Sequence, residues 1–148
     1  MDISLATPDD RDWAGALLAS TDPWIRLGRT LEQCLAVCRD PVYEVWVARA
    51  EGERCGALLL QERGVAGSPY LKAIAVAASH RGRGVGAALM DFAEARFRPA
   101  ARHFFLCVSD FNIRARAFYE RRGWTVVGEL PDYTVDGASE ILMHLRLR

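Results

Sequence analysis

Apolar and polar residues alternate in some stretches of the chain and recur every three to four residues in others. Together the two periods lay out a series of strands and helices. Ile3 to Ala6 reads as a short opening strand. Thr7 then stands as an N-cap with Pro8 at the first helical position and acidic residues behind it, so a helix is expected to run to about Ser20. Asp22-Pro23-Trp24 breaks that pattern. A second helix is expected over Thr30 to Arg39, with Thr30 and Gln33 spaced as a capping box and Leu31, Cys34, Leu35 and Cys38 on one face. Tyr43 to Ala50 and Cys55 to Gln61 read as strands joined by the hairpin signature Glu51-Gly52-Glu53-Arg54, and Ser68 to Val76 as a third. Val85, Leu89 and Phe92 open a helical run that Pro99 stops. Phe104 to Val108 is a strand, Asn112 to Arg122 a helix ended by Gly123, and Trp124 to Leu130 and Glu140 to Leu147 are the closing strands. The expected order is β-α-α-β-β-β-α-β-α-β-β.

Between the third of these central strands and the helix that follows lies Arg81-Gly82-Arg83-Gly84-Val85-Gly86. Alternating glycines let the backbone turn tightly and bring N–H groups together at a helix start, and two guanidinium groups add positive charge. This predicts a cradle for a pyrophosphate. Gly82-x-Gly84-x-x-Ala87 with Asp110 further on also fits a dinucleotide fingerprint, but too little chain remains after it for the additional βαβ units of that fold.

With 148 residues, 51% of them hydrophobic, the chain has the size of one domain, expected to span residues 1–148. Zero formal net charge argues against general nucleic-acid binding. The charge is uneven, however. Residues 81–122 hold nine arginines against Asp91, Glu94, Asp110 and Glu120, a positive block suited to a small polyanion. No apolar run approaches a membrane span and the start lacks a secretory pattern, so no membrane partner and a cytoplasmic location are expected. Cys34 with Cys38, and His103 with Cys107, lack the spacing and ligand count of a zinc site, and no metal is expected.

Arg81, Gly84 and Gly86 match Arg/Gln-x-x-Gly-x-Gly/Ala, and Asn112, Ala115, Phe118, Tyr119, Gly123 and Trp124 match a second signature. On these two motifs the chain resembles the GCN5-related N-acetyltransferases, most strongly from Tyr70 to Trp124. The resemblance implies an α+β acyl-CoA N-acyltransferase fold, with a mixed, mostly antiparallel sheet flanked by four helices. It implies acetyl-CoA as the acetyl donor and an amine of a small molecule or a peptide α-amine as the acceptor, and it admits a homodimer. The backbone of Ile74, Ala75 and Val76 would pair with the pantetheine arm. Arg81, Gly82, Arg83, Gly84, Val85, Gly86 and Ala87 would hold the pyrophosphate, and Asn112 would cap its helix, contact the cofactor, or do both. Tyr119 matches the tyrosine that protonates the departing thiolate.

Two glutamates used as general bases within the family are absent, since Cys107 stands at one position and Leu71, Lys72 and Ala73 at the other. Glu44, Glu62 and Asp110 remain as carboxylates to consider. Trp24, Arg26 and Arg29, between the first two helices, and Tyr133, in the loop before the last strand, are expected to meet the acceptor. An aromatic and two cations suit an acceptor with an apolar part and a carboxylate. The acidic first helix, with Asp9, Asp10 and Asp12, would suit a cationic one instead. A coenzyme A–binding sensor or scaffold without turnover is the alternative function.

Overall fold

Both threonine N-caps read from the sequence form, each within a capping box, in the computed structural model, which describes residues 1–148. Thr7 Oγ1 accepts from the Asp10 N–H at 3.1 Å while the Asp10 carboxylate accepts from the Thr7 N–H at 3.0 Å, starting α1 (Pro8–Ala19). Thr30 and Gln33 make the same exchange at the head of α2 (Leu31–Arg39). The remaining helices are α3 (Val85–Phe97) and α4 (Ile113–Arg121). The strands are β1 (Asp2–Leu5), β2 (Glu44–Ala50), β3 (Glu53–Gln61), β4 (Tyr70–Val76), β5 (His103–Ser109), β6 (Thr125–Val135) and β7 (Ala138–Arg146). They form one seven-stranded sheet in the order β1-β2-β3-β4-β5-β7-β6. Every neighbouring pair is antiparallel except β4 with β5. This is the expected element order and fold class.

The continuous apolar run of β3 is explained by cover on both faces. Leu58 and Leu60 enter a core with Leu89 and Met90 of α3, Phe104 and Leu106 of β5, and Trp124. Ala57 and Leu59 point the other way, to Ala14 and Leu18 of α1 and to Cys34 and Cys38 of α2. Burial pushes the Cys38 thiol up to about 12, so it sits there as an apolar group.

One boundary corrects the sequence reading. β6 runs through Pro131 to Val135, so Tyr133 lies within a strand and not in a loop. Pro131 is tolerated because β6 is the sheet edge, where a missing N–H breaks no ladder, and the register with β7 shifts between Leu130 and Val135.

The acidic first helix is also spoken for. Asp10 is buried and accepts from Arg49 at 2.6 Å and Arg54 at 2.8 Å, and Asp12 pairs with Arg39 at 2.7 Å. These contacts tie α1 to the β2–β3 hairpin and to α2, and they leave Asp10 and Asp12 unavailable to an acceptor. Burial raises the Asp10 pKa, but hydrogen bonds from Arg49, the Thr7 backbone and Arg54 outweigh it and hold the carboxyl at about 2, against an ordinary 3.8. The ionised form therefore contributes stability above about pH 4, and that contribution is lost as the pH falls through about 2. Asp10→Asn is expected to cost about 2 kcal/mol at pH 7. In urea unfolding the gap between the variant and the unmodified protein should narrow steadily below pH 4; a gap independent of pH contradicts the assignment.

Candidate active site

Parallel β4 and β5 pair only at Tyr70 with Phe105 and Leu71 with Leu106. Beyond Leu71 the two strands part, while β4 stays paired to β3 as far as Val76. The Ala77 N–H donates to the Cys55 carbonyl at 2.8 Å, and alternation along an antiparallel ladder then turns the amides of Ala75 and Ala73 toward β3. Those of Ile74 and Val76 face the gap. Ala75, expected to share in pairing with a ligand, is committed to β3. Leu59 pairs with Ala73 and Leu60 with Leu71, so Lys72 is the extra residue of a β-bulge at the point where the fork closes.

The fork opens into a slot of about 790 Å³. One wall is β4 from Leu71 to Val76; the other is Cys107 to Ser109 of β5 with Asn112, Phe118 and Tyr119. At the C-terminal end of β4 lies the glycine segment. Gly82 and Gly84 adopt φ of +74° and +81°, the left-handed region that favours glycine, and a Cβ on either would point into open space. Gly84 is the N-cap of α3 and no side chain caps the helix. The first N–H used within the chain is that of Ala88, to the Gly84 carbonyl at 3.0 Å, which leaves those of Gly82 to Ala87 free. Arg81 and Arg83 are exposed and belong to no ion pair, Arg81 reaching the Val76 carbonyl at 3.3 Å. Gly86 lines the slot, whereas the Val85 side chain is buried in the core. The segment is a ready cradle for an anion at a helix start.

Asn112 caps α4, its side-chain oxygen accepting from the Ala115 N–H at 3.3 Å, and it also borders the slot. Two turns on, Tyr119 is buried beside Phe118 and Trp124, and its hydroxyl makes no hydrogen bond within the chain. Burial alone raises its pKa, so the phenol is held protonated at the slot wall.

The closed end of the fork is polar. Tyr70 and Cys107 both line it, and burial raises the pKa of both. Glu140, opposite Ser109 in the β5–β7 ladder, accepts from the Ser109 hydroxyl at 2.7 Å. Burial raises the Glu140 pKa, the Ser109 hydrogen bond opposing. The carboxylates singled out from sequence are not in the slot lining. Glu44 holds Trp46 and Arg96, Asp110 accepts from the Ser139 N–H, and Glu62 is exposed. Glu140 was missed because its position depends on β7 lying against β5, a pairing no local motif signals. Trp24 and Arg29 line the slot, with Trp24 also packed on the α1–α2 core. Arg26 does not, its guanidinium lying 4.0 Å above the Phe111 ring. Tyr133 stands at the rim, two-thirds exposed.

A family model described as the acetyltransferase (GNAT) family matches residues 10–124, which take in the fork, the cradle and α4. The chain belongs to the GNAT family. A 5-NmdU N-acetyltransferase of Pseudomonas phage PaMx11 is 39% identical over 85 residues, 57% of this chain and 59% of the relative, so the likeness takes in little more than half of that relative's length. Among solved structures, a protein from Desulfovibrio desulfuricans assigned to the GNAT family superimposes with a TM-score of 0.83 at 20% identity, covering 99% of each chain. An aminoglycoside 6'-N-acetyltransferase complexed with coenzyme A gives 0.78 at 18% identity, covering 100% of this chain and 98% of that one. At such identities the likeness is one of fold. His103, paired with His144 at 2.8 Å, and Cys107, beside Tyr70, take different partners.

The residues present fit acetyl-CoA as the GNAT donor. The free N–H groups of the cradle suit its pyrophosphate, and the outward amides of Ile74 and Val76 suit a strand-like arm. At about 3.3 Å per residue, the path from Val76 to Lys72 carries that arm's end to the closed end of the fork. Gly86 has an ordinary helical backbone, and a Cβ there would meet Val76 at 3.9 Å and Phe118 at 4.0 Å. Gly86→Val should therefore fold, with an unfolding midpoint within a few degrees of the unmodified protein, while its branches fill the slot mouth. Calorimetry should show coenzyme A binding weakened at least about tenfold; equal affinity removes the arm from this path.

Proposed function

We propose that the protein is an acetyl-CoA–dependent N-acetyltransferase acting on a primary amine of a small molecule or on a peptide α-amine, the amine attacking directly while both substrates are bound. The observation that carries this reading is the Tyr119 hydroxyl, protonated and without a partner in the chain, on the wall of the slot that has the cradle at its open end. The names of the phage relative and of the coenzyme A–bound structure support transfer to nitrogen.

Acetyl-CoA supplies an activated acetyl thioester. The cradle and the edge of β4 bind and align it, leaving its reactive end near Lys72 and Cys107. Glu140, its carboxylate oriented by Ser109, takes the proton that an ammonium acceptor must lose before attack. An α-amine near pKa 8 sheds that proton more readily than a lysine side chain near 10.4. Tyr119 donates its phenolic proton to the leaving sulfur, which turns a poor thiolate leaving group into a thiol. The apolar wall of α4 excludes water from this path, protecting the thioester from hydrolysis.

A sensor that binds coenzyme A without turnover needs neither an open phenol nor a carboxylate at the closed end. Release of free thiol from acetyl-CoA in the presence of an amine panel separates the two readings. Tyr119→Phe keeps the ring, so coenzyme A affinity should hold while kcat falls about 10²-fold. Glu140→Gln should lower kcat by a similar factor and remove the acidic limb of the pH profile. Full turnover in either variant, with chemistry rate-limiting, contradicts its assigned role; amine-independent binding with no thiol release favours the sensor.

A further inference from the structure

We infer that the acceptor is a free α-amino acid with an apolar side chain, held with its amine toward Glu140 and its carboxylate between Lys72 and Arg29. This rests on the acetyltransferase reading of the same slot and narrows it to one class of amine.

Lys72 is the only lysine in a chain otherwise rich in arginine, and the bulge in β4 sets it at the closed end of the fork. It lines the slot together with Arg29 of the α1–α2 connection, near enough for the two charges to act on each other. Neither side chain takes part in any ion pair of the protein. Other arginines are matched with carboxylates, as Arg122 is with Asp91 and Glu94, and Arg96 with Glu44. Burial lowers the Lys72 pKa and the neighbouring Arg29 charge lowers it further, while Cys107 and Glu140 oppose the shift. Two cations kept together repel each other, and a bound carboxylate relieves that repulsion through charge-assisted hydrogen bonds.

Glu140 supplies the opposite charge in the same slot. It and Lys72 are near enough for each charge to act on the other, yet no ion pair joins them. One Glu140 oxygen accepts from Ser109, which leaves the other to meet an ammonium. Cations and an anion held apart in this way match a ligand carrying both charges a few bonds apart. An α-amino acid has that spacing. A peptide N-terminus does not, because its first carboxyl is an uncharged amide, and a polyamine places cations on both sides. Trp24, Leu27, Leu130 and Tyr133 line the remaining part and offer an apolar seat for the side chain.

The test is acetyl transfer, read as thiol release, to apolar α-amino acids such as phenylalanine and leucine, to their amides, to the decarboxylated amines and to spermidine. The unmodified protein should favour at least one amino acid over its amide and its decarboxylated amine by at least about tenfold in kcat/KM. Lys72→Gln should raise the KM for that amino acid about tenfold, with kcat within about twofold and the KM for the decarboxylated amine unchanged; Lys72→Arg should restore most of the preference. A merely structural role for Lys72 would move both acceptors alike. Preference for the amide, the decarboxylated amine or spermidine overturns this acceptor class and leaves the acetyltransferase reading standing, as does a Lys72→Gln protein with an unaltered preference. Transfer to none of these amines, with coenzyme A binding intact, likewise overturns this acceptor class.

Discussion

Backbone N–H and C=O groups inside a protein need partners, and the sheet departs from that rule at one place that matters. β4 and β5 meet at two consecutive positions and then separate, so the amides of Ile74 and Val76 face a gap where the next strand would otherwise satisfy them. The rest of the site follows from this parting. The glycine segment sits at the open end because it follows β4 directly. The bulge sets Lys72 at the closed end, and α4 descends from β5 to present Tyr119 along the side. A strand-like arm with a pyrophosphate at one end completes the ladder and the helix start together, which is why one ligand answers both unsatisfied sets.

Electrostatics sorts the arginines into two roles. The positive block read along residues 81–122 is partly neutralised once folded: Arg122 is joined to Asp91 and Glu94, Arg96 to Glu44 and Arg116 to Glu120. Arg81 and Arg83, beside the cradle, are among the arginines of the block that take part in no ion pair, as are Arg98, Arg102, Arg114 and Arg121. Buried Asp10 gathers Arg49 and Arg54 and makes the first helix a structural anchor.

Features encoded locally were legible in the sequence. The two threonine N-caps, the Thr30–Gln33 capping box, the Glu51-Gly52 hairpin, both with positive φ, the glycine turn before α3 and the Asn112 cap each depend on residues within a few positions of one another. The extension of β6 past Pro131 was not legible, because only its place at the edge makes a proline acceptable there. Glu140 and Lys72 were passed over for the same kind of reason: one is brought to the slot by pairing between β5 and β7, the other by a bulge visible only in the β3–β4 register. Arg26 and Arg29, three residues apart, looked equivalent in sequence; Phe111 captures the first and leaves the second at the slot.

The central claim is that β4 offers an unfinished edge to the donor, and amide hydrogen exchange of the protein with and without saturating coenzyme A tests it most directly. The claim predicts that Ile74 and Val76 exchange at least about tenfold more slowly in the complex while Ala75, already bonded to β3, changes little. Exchange at Ile74 and Val76 unaltered by bound coenzyme A, or slowed no more than at Ala75, would contradict it.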